Sequence, residues 1–296
     1  MKNIKLLSKI SVAALLTIGG IGTINQVNDS VNTETVHAAT ASEQTKITLP
    51  AGYTKQRILN ANNNRLSNND KKALVQASAQ GMKQNQFFDN NAQDKTTMVN
   101  TTNMTWNQKV EINRYALNLI NSARSQMGKK GWILNTSAIS FADKVAKEYY
   151  NNDKSDWDAD HYVAGITRAA VASGLKNAGQ VYEDESGLPV TSQYRGSMRS
   201  MYALKEQIYF NVKQMLFGGF YGSMTDFSNL SRYTEWYHAG DLLGLRSLRG
   251  SDAPTKYFGL SFSGMKTNQQ RISVHFMGVS TNYIANYKLF NTKANI

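Results

Sequence analysis

Apolar positions recur with helical spacing most strongly after Thr105. There Ile112, Tyr115, Ala116, Leu119, Ile120, Ala123 and Met127 fall at i, i+3, i+4, i+7, i+8, i+11 and i+15, one stripe on one helix. Thr105-x-x-Gln108 ahead of it fits a capping box, in which both side chains satisfy backbone N–H groups at the helix start. Gly128 and Gly131 end the run, and Trp132-Ile133-Leu134 reads as a short apolar link. Asn135 or Thr136 then caps a second helix that puts Ala138, Phe141, Ala142, Val145, Ala146 and Tyr149 on one face. A third helix is expected over about Val163–Leu175 and a fourth over Met201–Phe217, the latter with Leu204, Ile208, Val212, Met215 and Leu216 inward.

The period then changes from 3.6 to 2. Tyr257–Phe262 and Ile272–Val279 read as strands, the second alternating Ile272, Val274 and Phe276 against Ser273, His275 and Met277. The polar connector Met265–Gln270 makes an antiparallel hairpin of them. Gly179–Glu185 reads as a strand or strand edge. Helices first and a hairpin last give an α+β class rather than a doubly wound sheet.

Before Thr105 the pattern weakens. Asparagine and glutamine fill 18 of the 49 positions from Asn60 to Gln108, a composition that usually marks solvated, weakly ordered chain. One island, Lys71–Met82 behind Ser67-Asn-Asn-Asp, carries a modest helical stripe. Residues 39–104 are therefore expected as a partly disordered N-terminal extension with short helices, 105–279 as the main domain, and 280–296 as a polar, basic tail.

Residues 1–38 have the form of a signal peptide: Lys2, Lys5 and Lys9, an apolar run Ile10–Ile21, and Val36-His37-Ala38 as a cleavage site. The run is shorter than the ~20 residues a spanning helix needs, though retention as an uncleaved anchor is the competing reading. No C-terminal sorting motif with a hydrophobic tail is apparent. A chain that is secreted or held non-covalently at the cell surface is expected. Cysteine is absent, which excludes a disulfide framework, a thiol nucleophile and a thiolate metal site. The net charge is +12, and loss of residues 1–38 removes three lysines and two acids, leaving +11. Such a chain is drawn to anionic cell-wall polymers such as teichoic acid. The positive residues are scattered and no nucleic-acid motif is present, so nucleic acid is not the expected partner.

Of the histidines after residue 38, His275 lies in a strand with no acid near it in sequence and reads as an ordinary hydrogen-bonded side chain. His161 and His238 each stand beside a tyrosine at a helix border. Asp158 and Asp160 precede His161, Glu235 and Asp241 flank His238, and Glu183 and Glu185 lie between the two histidines in sequence. Such a set could bind a divalent ion, zinc most naturally, or share protons as general acid and base; His238 and Glu235 are also an ordinary i, i+3 surface pair. No G-x-S-x-G, H-E-x-x-H or glycine-rich phosphate loop occurs.

The order of these pieces resembles a known family. Leu119-Ile-Asn-Ser-Ala-Arg124, Phe141-Ala-Asp-Lys-Val-Ala146, His161, Val181-Tyr-Glu-Asp-Glu185, Trp236-Tyr-His-Ala-Gly-Asp-Leu-Leu243 and Tyr257-Phe-Gly-Leu-Ser-Phe262 together look like the CAP superfamily in its cysteine-free bacterial form. The segment Ile47-Thr-Leu-Pro-Ala-Gly-Tyr-Thr54 further resembles PgrA-type surface-exclusion proteins of lactobacilli and enterococci. The resemblance implies an α-β-α sandwich with a cleft of two histidines and two acids. By position His161 and His238 match the histidines and Glu183 the first acid, with Glu185 as the slipped alternative. Glu206 is the better match for the second acid and Glu235 the runner-up. The pattern is altered at Val181–Glu185, at Ala239 and at Leu260-Ser261. These departures point to a non-enzymatic modulator of cell–cell contact, acting in surface exclusion or adhesion, with surface proteins of another cell as possible partners. The alternatives are a metal-dependent peptidase with zinc or calcium on His161 and His238, and a lipid- or small-ligand-binding domain using the aromatic loop Phe217–Phe227.

Overall fold

The structure is a computed structural model that describes residues 43–158, 160–189, 196–219, 226–246 and 255–296. The expected export segment 1–38 and the centre of the aromatic loop, 220–225, lie outside the described residues.

The helices begin where side chains can cap them. α1 (Lys55–Asn62) starts behind Thr54 and α2 (Asn68–Gln84) behind Ser67, whose hydroxyl accepts from Asp70 N. α3 (Ala92–Thr96) and the short β1 (Met98–Asn100) follow. α4 (Trp106–Gln126) carries the full capping box between Thr105 and Gln108. β2 (Ile133–Leu134) leads into α5 (Thr136–Asn151), with Asn135 accepting from Ser137 N and Ala138 N. Next come α6 (Val163–Ala172), β3 (Glu183–Gly187) behind a 3-10 turn Gly179–Tyr182, β4 (Met198–Ser200), α7 (Met201–Leu216) and α8 (Tyr237–Leu243). β5 (Lys256–Gly264) and β6 (Ile272–Ser280) complete the set.

Four strands form the central sheet in the order β2-β5-β6-β3. β2 runs parallel to β5, and the β5–β6 and β6–β3 pairs are antiparallel. The hairpin is antiparallel as expected, with Leu260 opposite Phe276. β1 and β4 form a separate antiparallel pair, Val99 opposite Arg199. Alternation along the strands feeds two cores. Phe258, Leu260, Phe262, Val274 and Phe276 pack toward α4 and α7. Tyr257, Met277 and Val279 pack with Phe141, Val145 and Tyr149 of α5 and with Ile166 of α6. Helices therefore cover both faces of the sheet. Contact on the α5 side is close enough to require glycine: a Cβ on Gly259 would lie 2.2 Å from the carbonyl oxygen of Ala138.

Two segments are more closely built into the fold than their composition indicates. In the N-terminal extension 39–104, expected as partly disordered, Ile47, Tyr53, Ile58, Leu74, Met82 and Val99 all join the main core. The amides serve there as backbone partners. Asn62 Nδ2 donates to Trp236 O at 2.9 Å, and Asn85 accepts from Thr48 N at 2.7 Å while donating to Thr48 O at 2.9 Å. Beyond residue 280, Ile284 and Phe290 are buried in the second core, and Thr136 N donates to Ala294 O at 2.9 Å. Trp132–Leu134, which reads as a link, supplies the edge strand β2 because Ile133 and Leu134 pair with Tyr257 and Phe258. Among the described residues no helix is long and apolar enough to cross a membrane.

Candidate functional site

β3 is the sheet's outer strand, so both of its faces open at the same edge. Successive side chains of a strand point to opposite faces. Glu183 and Glu185 therefore turn toward the α5 side, and Asp184 turns the other way. Two histidine clusters form around them.

On the α5 side Glu183 is the hub. Its side chain is 0% exposed, a position a charged group holds only when its lone pairs are met. His161 Nδ1 and the Tyr149 hydroxyl each lie 2.8 Å from its Oε2, and His275 Nδ1 lies 2.8 Å from its Oε1. The register that sets His275 opposite Glu185, with Glu183 opposite Met277, brings this histidine in. With Nδ1–H given to Glu183, the far nitrogen of a neutral His275 accepts from Ser263 Oγ, 2.8 Å away. Tyr149 also reaches Glu185 Oε2 at 3.0 Å, and its oxygen accepts from Tyr162 N at 2.8 Å. That last bond fixes the chain just after His161. Asp156 N donates to Ser273 Oγ at 2.8 Å, and a Cβ on Gly187 would lie 2.6 Å from the Trp157 ring, so the Asp156–Asp158 turn lies directly on the end of β3.

Burial works against ionisation of Glu183, but the bonds from His161 and His275 outweigh it and hold the carboxyl down at about 2. His161 is shifted the opposite way: burial opposes its charge, and the Glu183 bond raises its pKa nonetheless. Glu185 has less support. Burial first, then the charges of Glu183 and Asp156, outweigh the bonds from Tyr149 and Ser273 and push it well above its ordinary value.

On the other side His238 is paired within its own segment. Its Nδ1 lies 3.0 Å from Glu235 Oε1, and Glu235 Oε2 accepts from Tyr237 N at 2.5 Å. Trp236 is buried and donates from Nε1 to Ser78 Oγ of α2 at 3.0 Å, so the N-terminal segment fixes the start of α8. Burial opposes the charge on His238, but the Glu235 bond and the charges of Asp184 and Asp241 raise it to about 9. Burial and then Asp241 raise Asp184 to about 7, and its Oδ1 is buried without a partner. Asp241 is bonded to Arg246.

The two clusters lie near each other. The charge of His238 acts on His161, and Asp156 responds to His238, His275 and His161 alike. Their pairing differs from the simplest reading of the sequence. Glu183 joins His161 to His275 rather than to His238, and Glu235 is the partner of His238. Glu185 belongs with Glu183, as the Tyr149 bonds show. Glu206 lies on α7, where its charge acts on Tyr115 and Tyr202. His275, which reads as isolated in sequence, has two carboxylates within 4.0 Å. Tyr149 and Asp184 also escape a reading by residue type; the alternation within Glu183-Asp184-Glu185 is the signal that separates their faces.

His161, Glu183 and Glu185 each offer a ligand atom within 4.8 Å of the others. One nitrogen and two oxygens could hold a divalent ion. The His161 Nδ1 and both Glu183 oxygens are already bonded within the protein, so an ion must use the other imidazole nitrogen or displace those bonds.

No protein-family profile matches the chain, and no curated protein does. The architecture is that of a CAP-like domain. The CAP domain of enterococcal PrgA, a solved structure, superposes on this chain with a TM-score of 0.59 at 23% identity, over 81% of this chain and 88% of that one.

Proposed function

We propose that this chain is an exported CAP-like module that works at a cell surface by binding, as a modulator of cell–cell contact in surface exclusion or adhesion. The observation that carries this reading is the state of Glu183. A catalytic carboxylate needs a lone pair open to substrate or water, and here the best-placed acid is 0% exposed and its two oxygens already take His161, His275 and Tyr149. The +11 charge after residue 38 favours attachment to anionic wall polymers, the likeness to the PrgA CAP domain supports the CAP-like module, and the surface-exclusion setting rests on the resemblance at Ile47–Thr54. The test is binding of the purified protein to intact Gram-positive cells, followed by washing at rising salt. Release by roughly 1 M salt, where screening acts within ~3 Å, is expected. A protein that never binds the cells, or that cleaves peptides while its Glu183→Gln variant does not, defeats the proposal.

The grouping of His161, Glu183 and Glu185 favours one other reading, a metal-dependent hydrolase. Calorimetric titration with zinc and with calcium, compared with Glu185→Gln, decides it. Absence of metal-dependent heat in the wild type ends that reading.

A further inference from the structure

A second group of acids lies away from the histidines. Glu43 is bridged to Asp89 at the start of the N-terminal segment, with Gln44 N donating to Phe88 O at 2.8 Å. Asp94 opens α3. Lys205 of α7 reaches in from the domain, its side chain only 4% exposed, and its ammonium lies 2.7 Å from Glu43 Oε2, 2.6 Å from Asp94 Oδ2 and 2.9 Å from Glu111 Oε1. Those three bonds use all three donors of the lysine.

Asp89 receives none of them. Its Oδ1 accepts from Asn91 N at 2.8 Å, whereas its Oδ2 is buried with no donor, in a residue 3% exposed. One ligand atom from each of Glu43, Asp89 and Asp94 lies within 4.8 Å of the other two. Within the cluster four carboxylates face one ammonium, so three negative charges are uncompensated when all are ionised. Burial, with the Asp94 carboxyl adding to it through a shared hydrogen bond and its charge, raises Asp89 to about 6. A buried carboxylate oxygen without a donor is relieved by a cation or by a proton shared with a neighbouring acid. The lysine engages Glu43 and Asp94 through one oxygen each, and a carboxylate has about four lone-pair positions, so acceptor capacity remains.

We propose that Glu43, Asp89 and Asp94 form a divalent-cation site of the hard, all-oxygen kind that takes calcium, and that the ion clamps the N-terminal segment onto the domain beside Lys205. Carboxylate oxygens without nitrogen or sulfur suit calcium, magnesium or manganese rather than zinc. Exported modules commonly bind calcium at ~0.1–1 mM.

The test uses the chain from residue 39 onward, stripped with chelator and titrated with calcium chloride, magnesium chloride and manganese chloride. Expected are one bound ion per chain, a rise in Tm of roughly 3 °C or more at saturating calcium, and slower proteolysis near Glu43. Asp89→Asn is nearly isosteric and removes a buried charge; it is expected to fold in chelator with a Tm at or above that of the wild type and to lose the calcium response. Asp226→Asn, at an exposed acid whose Oδ1 accepts from Ser228, is expected to keep that response. Two results overturn the proposal: no binding or Tm change with any of the three ions up to ~10 mM, well above the range usual for exported sites, or a calcium response that survives Asp89→Asn.

Discussion

The two histidine clusters use the same residue types and reach different states. On the α5 side an acid buried in the sheet receives two imidazoles and a phenol, and every group in the set belongs to a different element. On the α8 side His238 and Glu235 stand three residues apart, each about a quarter exposed, and the buried acid near them, Asp184, has an oxygen without a partner. The first cluster is therefore a structural knot that ties α5, the loop before α6, β3 and β6 together. The second is a local pair beside an incompletely satisfied carboxylate. Each cluster keeps one unpartnered buried carboxylate oxygen, Glu185 Oε1 in the first and Asp184 Oδ1 in the second.

If that contrast is right, Glu183→Gln has the largest effect. It removes the charge that three donors converge on, and a loss of about 3–5 kcal/mol in urea unfolding is expected, the range for breaking a buried charged network. Glu235→Gln removes a partly exposed partner and should cost only ~1–2 kcal/mol. Equal losses for the two would erase the distinction. Acid unfolding gives a second way to break it. Glu183 is lowered from 4.5 to about 2, so its contribution is complete above pH 4.5 and disappears as the pH falls through about 2. His238 is raised from 6.5 to about 9, so its contribution is complete below pH 6.5 and is lost as the pH rises through about 9. Stability curves of Glu183→Gln should thus lose the acid limb, and those of His238→Ala the alkaline one. The smallest expected effect is the sharpest: Asp184→Asn should lower the His238 pKa by a fraction of a unit to one unit in an NMR titration, through lost charge attraction alone. An unchanged His238 would detach Asp184 from the second cluster.

The legibility of the chain follows the range of the interaction. The capping box at Thr105 and Gln108, the apolar stripe of α4, the cap at Asn135 and the β5–β6 hairpin were all readable, and the sandwich followed from the resemblance. The amide-rich segment was harder. Its short helices are marked by Thr54 and Ser67, but nothing local says that Ile58 and Leu74 reach the core or that Asn62 and Asn85 satisfy backbone groups far along the chain. Phe290 in the basic tail is the same case.

Among the candidate residues, the spacing offered Glu235 as an i, i+3 partner of His238 and the runner-up to Glu206 for the second acid, and the fold brings the two together with Glu235 just ahead of α8. Strand alternation puts Glu183 and Glu185 on one face and Asp184 on the other. Only the tertiary structure decided that His275 meets Glu183, that Tyr149 of α5 joins them, and that Glu206 stands elsewhere beside Tyr115 and Tyr202. Those choices depend on strand order, register and the docking of α5 against the sheet. Burial then separates the two: Glu183, fully enclosed but met by donors, is held below its ordinary value, and Glu185, two residues on and enclosed with fewer of them, is pushed above it.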